Sequence, residues 1–168
     1  RFLRGGDGAW RGFPFVQGTL DFGFPLPIRN SSLWIRNAGG WSPGDRDEPF
    51  ANFFFGGFGN NWVDHQEPKR YREPPSFPGT ELNSIAGTNF AKVLAEWNLP
   101  ALRFRRAGTL ALYASLARLS LFATGLLTNV DLAAERRSLG NVGAQADVRF
   151  QILTRQPLTL SAGYARSF

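Results

Sequence analysis

The stretch Val142-Gly-Ala-Gln-Ala-Asp-Val-Arg-Phe-Gln-Ile152 decides the fold, because apolar residues alternate along it with polar residues or glycine without a break. Successive side chains of a β-strand point to opposite faces, whereas a helix would scatter these residues around its axis. The stretch is therefore predicted to be a strand with one apolar face and one charged face. A break at residues 154–157 and a second alternating run at 158–164 predict a hairpin.

Other parts of the chain predict more strands. Three further segments alternate in the same way, at about residues 15–24, 31–41 and 90–97. The apolar segment 109–127 changes parity near Arg118, which predicts either a β-bulge or a short amphipathic piece before a strand. Residues 98–108 are predicted to form a basic turn. The fold class expected is all-β, with about six to seven antiparallel strands.

The composition of the 168-residue chain excludes several kinds of site. It contains no cysteine, so a disulfide, a thiolate metal site or a cysteine nucleophile is impossible. The formal net charge is +6, but the arginines are scattered along the chain, so no nucleic-acid partner is predicted. The chain begins at Arg1 and has no methionine, which suggests a piece of a longer polypeptide.

Candidate catalytic and metal-binding residues are few. His65 is the sole histidine and lies beside Asp64, which makes an acid–base or metal site conceivable, but a loop histidine among charges is usually only solvated. Asp45, Asp47 and Glu48 carry oxygen ligands suited to calcium, yet their spacing matches no complete calcium loop. We therefore predict no enzymatic activity, no metal and no cofactor.

The apolar faces of the strands can meet either a soluble core or lipid. Residues 107–127 are long enough to cross a bilayer as a helix, but Arg118 near the middle and the flanking strand patterns argue against it. Alternating segments of about ten residues, joined in turn by short and long connections, are typical of transmembrane barrels. The long connections are residues 42–82 and 128–141. A soluble all-β protein shares these traits, so the pattern alone leaves that alternative open.

One string in the first long connection resembles a known motif. Glu48-Pro-Phe-Ala-Asn-Phe-Phe-Phe-Gly-Gly57 is similar to the loop motif of the bacterial surface antigen family, whose C-terminal barrels insert other barrels into the outer membrane. The order of Gly87-Thr-Asn89, residues 96–100, residues 119–125 and Gly163-Tyr164 is also similar. The resemblance implies a partial transmembrane antiparallel β-barrel in the outer membrane of a Gram-negative bacterium. It also implies the lipid bilayer and unfolded outer-membrane proteins as partners, and a role in protein insertion or translocation.

The resemblance assigns residues to the loop but includes one departure. In the family an Arg-Gly-aromatic triplet folds back into the lumen, and here Trp62 stands at the arginine position. Arg70 and Arg72 are the candidates to replace that arginine. The loop residues assigned a structural or functional role are Pro49, Phe50, Asn52, Phe53, Gly56, Gly57, Trp62, Arg70, Arg72 and Gly79. The charges expected to face the lumen are Lys92, Glu96, Asp147 and Arg149.

Strand directions predict where the barrel would continue. If the loops 42–82 and 128–141 are extracellular, the strand that ends at Phe168 runs outward, so one more strand should follow it. Residues 1–168 are thus expected to be a single fragment of a C-terminal barrel domain that lacks the last strand, with 42–82 as an extracellular or lumen-folding loop. The alternatives are a barrel that anchors an upstream module or acts as a passive pore, a soluble all-β ligand-binding protein, and a membrane-bound lipase or protease.

Overall fold

A computed structural model of the chain describes residues 2–4, 10–12, 14–59, 69–109, 111–153 and 156–168. Its strands are β1 (Phe2–Arg4), β2 (Trp10–Gly12), β3 (Val16–Pro25), β4 (Ser32–Trp41), β5 (Phe53–Phe55), β6 (Ile85–Gly87), β7 (Asn89–Asn98), β8 (Leu102–Gly108), β9 (Leu112–Thr128), β10 (Arg137–Ile152) and β11 (Gln156–Ser167). Two short 3₁₀ turns cover Pro49–Ala51 and Arg70–Arg72. The described residues include no helix with the length and hydropathy that a membrane span requires.

One large antiparallel sheet dominates the fold. Its strand order is β11-β10-β9-β7-β4-β3, and β8 pairs with β9 beyond the end of β7. Since β7 and β8 follow each other along the same side of β9, they act as the two halves of one bent strand. The prediction of an all-β chain with a large antiparallel sheet is confirmed. The sheet is open, with β3 and β11 at its edges, so a partial barrel stays a prediction.

The predicted basic turn at residues 98–108 is wrong. Only residues 99–101 separate β7 from β8, and the rest of the segment is a strand paired with β9. Leu102 and Phe104 lie on an exposed surface, while Arg103 lines a cavity on the opposite side. The segment therefore alternates as a strand does, and the density of arginines concealed that pattern. The alternative of a membrane helix over 107–127 is also wrong, because β9 occupies most of that range.

The parity change in the apolar segment 109–127 is a β-bulge. Along β10, Arg149 pairs with Leu116 and the next residue, Phe150, pairs with Ala114, which leaves Ser115 as an extra residue on β9. The bulge puts residues 112 and 119 on the same exposed surface, although one number is even and the other odd. The bulge prediction is thus confirmed, with its position at Ser115 rather than at Arg118.

The two faces of the large sheet differ sharply, and we name them the apolar face and the polar face. The apolar face is exposed and carries Val16, Leu20, Phe22, Phe24, Trp41, Val93, Trp97, Leu119, Leu121, Leu127, Val142, Leu158, Leu160 and Tyr164. The polar face is buried at its centre, where it carries Lys92, Glu96, Ser120, Thr124, Thr128, Asn141, Gln145 and Asp147. It is exposed along β3 and along most of β11. This arrangement is the inverse of a water-soluble β-protein, whose apolar face is buried.

The centre of the polar face is covered by the described residues between β4 and β7, 42–59 and 69–88, which we call the covering segment. Within it, β5 pairs with β6, and the other described residues are mostly irregular, as predicted for residues 42–82. Two small apolar clusters lie between the covering segment and the sheet: Phe55, Phe77, Ile85, Phe90 and Leu126 form the first, and Tyr71, Leu94 and Phe122 form the second. The buried apolar core therefore lies between the large sheet and the covering segment.

Candidate functional site

A buried carboxylate on the polar face binds the covering segment. Glu96 of β7 is fully buried, and Arg72 donates to both of its oxygens, from Nε to Oε2 at 2.8 Å and from Nη2 to Oε1 at 2.7 Å. Lys69 Nζ donates to Oε1 at 3.1 Å, and Arg36 Nε lies 3.6 Å from Oε2. A bidentate guanidinium–carboxylate pair fixes orientation as well as distance. Glu96 therefore ties the covering segment to the sheet.

Local backbone geometry explains why two cations reach the same carboxylate. Lys69 precedes the 3₁₀ turn Arg70–Arg72, and side chains three residues apart lie above one another in such a turn. Lys69 also donates to Ser120 Oγ at 2.6 Å and to Asn98 Oδ1. Burial lowers the pKa of Lys69 from its ordinary value, while Glu96 acts in the opposite direction. The turn thus aims two positive charges at one negative charge.

A second buried cation holds the covering segment through its backbone. Lys92 Nζ donates to the carbonyl oxygens of Glu73 at 2.8 Å and Pro74 at 3.2 Å, and also to the carbonyl of Ser76. It lies 3.1 Å from Ser76 Oγ, which in turn donates to the Glu73 carbonyl at 2.7 Å. Several acceptors around one ammonium replace the water that burial removes.

Aromatic rings pack against the sheet beside the Glu96 site. Tyr71 stacks on Phe122 with ring centres 4.2 Å apart and planes 12° from parallel. The Phe58 ring packs edge-on against the Phe122 ring, with ring centres 6.3 Å apart. Glycines on the polar face leave the space: a Cβ at Gly143 would lie 2.4 Å from the Phe122 ring, and one at Gly163 would lie 2.8 Å from the Phe58 ring. The close approach of the Phe58 ring explains why residue 163, in the pair Gly163-Tyr164, is a glycine.

Two glycines of the loop motif are required by backbone geometry. Gly56 has φ +149°, and a Cβ there would lie 2.0 Å from the Glu81 carbonyl oxygen. Gly79 has φ +95°, and its Cβ would lie 2.6 Å from the Ser167 backbone nitrogen. Ser167 Oγ donates to the Gly79 carbonyl at 2.7 Å. These glycines let the covering segment fold tightly and touch β11.

The other predicted loop residues have different positions. Pro49 and Phe50 belong to the first 3₁₀ turn, with Phe50 largely exposed, and Asn52 Nδ2 donates to two carbonyls of its own loop. Phe53 packs edge-on against Phe90 at 4.9 Å, and Gly57 forms a β-bridge with Phe77. Arg70 lies half-buried in the second 3₁₀ turn. Trp62, Asp64 and His65 lie outside the described residues.

The four charges predicted to face a lumen all lie on the polar face. Lys92 and Glu96 contact the covering segment, whereas Asp147 and Arg149 line a cavity next to it. Gln145 Nε2 donates to Asp147 Oδ1 at 2.7 Å. That this face encloses a lumen stays a prediction. Within the described part of the chain, no group of three or more acidic or histidine side chains is arranged to hold a metal ion.

Sequence reasoning missed several residues of the site. Lys69, Tyr71 and Phe122 were not singled out, and only the parity of Phe122 after the bulge could have placed it on the polar face. An ion cluster between two loops was also missed: Arg46 pairs with Asp131 at 2.8 Å and with Glu135 at 3.2 Å. The hydrogen bond from Asn89 and the charge of Arg46 lower the pKa of Asp131.

Comparison with protein-family models, curated proteins and solved structures finds no match to this chain. Its class is therefore defined by the fold and the site. The chain is an all-β protein whose large antiparallel sheet exposes its apolar face and buries its polar face under a connection of its own chain.

Proposed function

We propose that this chain is part of a transmembrane β-barrel of the surface-antigen type, located in the bacterial outer membrane. The observation that carries the proposal is the inversion of the sheet, with an exposed apolar face and a buried polar face. Membrane-spanning barrels direct apolar side chains to lipid and polar side chains to the interior. Exposed apolar surface of this extent marks a contact with lipid or protein. The lipid bilayer is the partner proposed for the apolar face.

The covering segment also supports this proposal, because it fits the loop that folds into the barrel interior in the surface antigen family. Arg72 is bound bidentately to buried Glu96, so it fits the role that the family gives to its lumenal arginine. Trp62 at the family's arginine position is thereby compensated from further along the loop. The arrangement braces the barrel wall from inside, because a carboxylate on β7 and a guanidinium from the loop hold each other.

The activity proposed is insertion or translocation of proteins at the outer membrane, with unfolded outer-membrane proteins as clients. An unpaired strand edge presents a row of backbone donors and acceptors that can template an incoming strand. The mechanism is physical, with no covalent step.

A barrel that anchors an upstream module is the second candidate. The buried ion pairs at Glu96 and the carbonyl contacts of Lys92 fix the covering segment firmly to the sheet. A fixed interior suits an anchor as well as it suits an assembly factor, and it disfavours a passive pore.

The membrane proposal is tested by placing charge on the apolar face. Leu121 on β9 is 38% exposed, and Leu132 in the loop that follows is 40% exposed, so the two form a matched pair. Leu121→Arg in the full-length protein should lower insertion into liposomes, because a central arginine on a lipid-facing strand costs about 2–4 kcal/mol. Leu132→Arg should insert as the parent does. Equal insertion of both variants, or recovery of the native protein from cytosol without detergent, would contradict the proposal.

Assembly and anchoring are separated by a second experiment. Arg72→Gln is compared with Arg29→Gln, a turn arginine outside the Glu96 site, for insertion of a test barrel into liposomes that contain the protein. An assembly factor that depends on the covering segment should lose insertion activity with Arg72→Gln alone. Unchanged insertion by an Arg72→Gln protein that is itself folded would favour the anchor.

A further inference from the structure

A cavity of about 860 Å³ lies on the polar face, beside the Glu96 site and near the short connections 26–31 and 99–101. Five basic side chains line it: Lys69, Arg72, Arg103, Arg118 and Arg149. Asp147 is the carboxylate in the lining. The volume falls within the range of sites for small molecules.

The positive charge of this cavity is only partly balanced. Lys69 and Arg72 are bound to Glu96, and Arg36 lies 3.6 Å from it, so that one carboxylate serves three cations. For Arg103, Arg118 and Arg149, no carboxylate of the described chain lies within ion-pair distance. Counting Glu96 and Asp147 against the five cations leaves an excess of three positive charges.

Strand register places the three arginines in a triangle. Arg103 on β8 and Arg149 on β10 are both paired with Leu116 of β9, so two strand spacings, or about 10 Å, separate their backbones. Arg118 lies two residues along β9 and is diagonal to both, at about 7–8 Å. Since β9 lies between the other two strands, Leu116 lies between Arg103 and Arg149, on one side of the triangle. Leu116 and Arg118 lie on the polar face with Ser120, because no register shift separates these residues of β9.

We propose that the cavity binds a small oxyanion with at least two negative charges, carried by phosphate or carboxylate groups. Planar guanidinium forks bind these groups through paired charge-assisted hydrogen bonds. Ser115, Gln151 and Thr159 add hydrogen-bonding groups to the lining and suit a polar ligand rather than an apolar one. Arg118 is paired in register with Asp147, whereas Arg103 and Arg149 are both paired with Leu116, so a bound anion supplies negative charge that their strand neighbours do not.

The test is calorimetric titration of the purified full-length protein at constant ionic strength, with pyrophosphate in one arm and citrate in the other. Saturable binding of one molecule per chain by either anion supports the proposal, and the tighter arm identifies phosphate or carboxylate as the preferred group. Arg118→Gln and Arg149→Gln should each weaken binding about tenfold, the effect of losing one charge-assisted contact. Arg29→Gln removes a charge from a neighbouring turn and should bind as the parent does.

Arg118→Lys keeps the charge but loses the fork, so its affinity should fall between those of the parent and Arg118→Gln. Absence of saturable binding in both arms would overturn the proposal. So would unchanged affinity in both glutamine variants, or binding of a hexaglutamate peptide by a protein that ignores both small anions. Titration needs no lipid, and liposome insertion needs no anion, so this proposal and the membrane proposal fail independently.

Discussion

The apolar face and the polar face of the sheet are built from the same strands, yet they have opposite surroundings. On β7, Lys92 and Glu96 are buried under the covering segment, while their neighbour Val93 is 49% exposed. On β7 the buried polar side chains therefore make the specific contacts within the chain, through ion pairs and hydrogen bonds to backbone carbonyls. The covering segment, rather than an apolar core between two sheets, therefore holds the polar side of this fold together.

The largest loss in the free energy of unfolding should come from removing the buried carboxylate of Glu96 at the centre of the polar face. Glu96→Gln leaves Arg72 and Lys69 buried without their shared carboxylate, and removal of one partner from a buried ion pair costs about 3–5 kcal/mol. We expect a matching loss in the free energy of unfolding, measured by urea titration in detergent micelles. Glu135→Gln, which removes an exposed partner of Arg46, serves as the control and should change stability by less than about 1 kcal/mol.

Truncating one side chain on each side of the sheet compares the two environments directly. Phe55 is 1% exposed and packs edge-on against Phe90, so Phe55→Ala should destabilise the protein by about 3 kcal/mol. Leu160 on the apolar face is 55% exposed, and Leu160→Ala should change the free energy of unfolding by no more than about 0.5 kcal/mol. Similar losses for both variants would mean that the apolar face is packed against protein.

Replacing the buried lysine tests the backbone contacts. Lys92→Met keeps the length of the side chain but removes the lysine donor from the carbonyls of Pro74 and Ser76. The Glu73 carbonyl also loses the lysine but keeps Ser76 as a donor. Buried acceptors without a partner cost about 1–3 kcal/mol, so we expect a loss of that size and faster protease cleavage within the covering segment. Protection equal to that of the parent protein would show that the lysine does not hold the segment.

The smallest effect concerns the exposed ion cluster of Arg46, Asp131 and Glu135. Because the pKa of Asp131 lies below its ordinary value of 3.8, its contribution to stability is complete above that pH and is lost as the pH falls through the lowered pKa. Asp131→Asn should therefore lower the unfolding midpoint slightly at pH 7 and leave it unchanged at strongly acidic pH. A constant difference between parent and variant across the titration would rule out this origin.

The strands were largely predictable because their polarity alternates residue by residue. β10 and β11 were recognised from this signal alone, and their pairing as a hairpin is confirmed. β8 was missed because three arginines in a short segment resemble a solvated turn, although Leu102 and Phe104 already alternated with Arg103 and Arg105. Alternation gives the two faces of a strand but not their surroundings, which depend on contacts distant in sequence.

The site was predictable in its residue types and not in its pairings. Lys92 and Glu96 were placed together by spacing, since residues an even number apart share a face of a strand. Their partners could not be derived, because Arg72 is 24 residues from Glu96 and reaches it only through the fold of the covering segment. Gly56 and Gly79 were noted from a motif, whereas their strict need for glycine follows from contacts with Glu81 and Ser167.

The carbonyl contacts of Lys92 have a consequence for how this protein tolerates change. Three of the acceptors around its ammonium are backbone oxygens, and every amino acid supplies such an oxygen. Substitutions at residues 73 and 74 that preserve the backbone path therefore leave these contacts in place. The attachment of the covering segment to this point of the sheet therefore depends on the backbone path at residues 73 and 74 rather than on a particular pair of side chains.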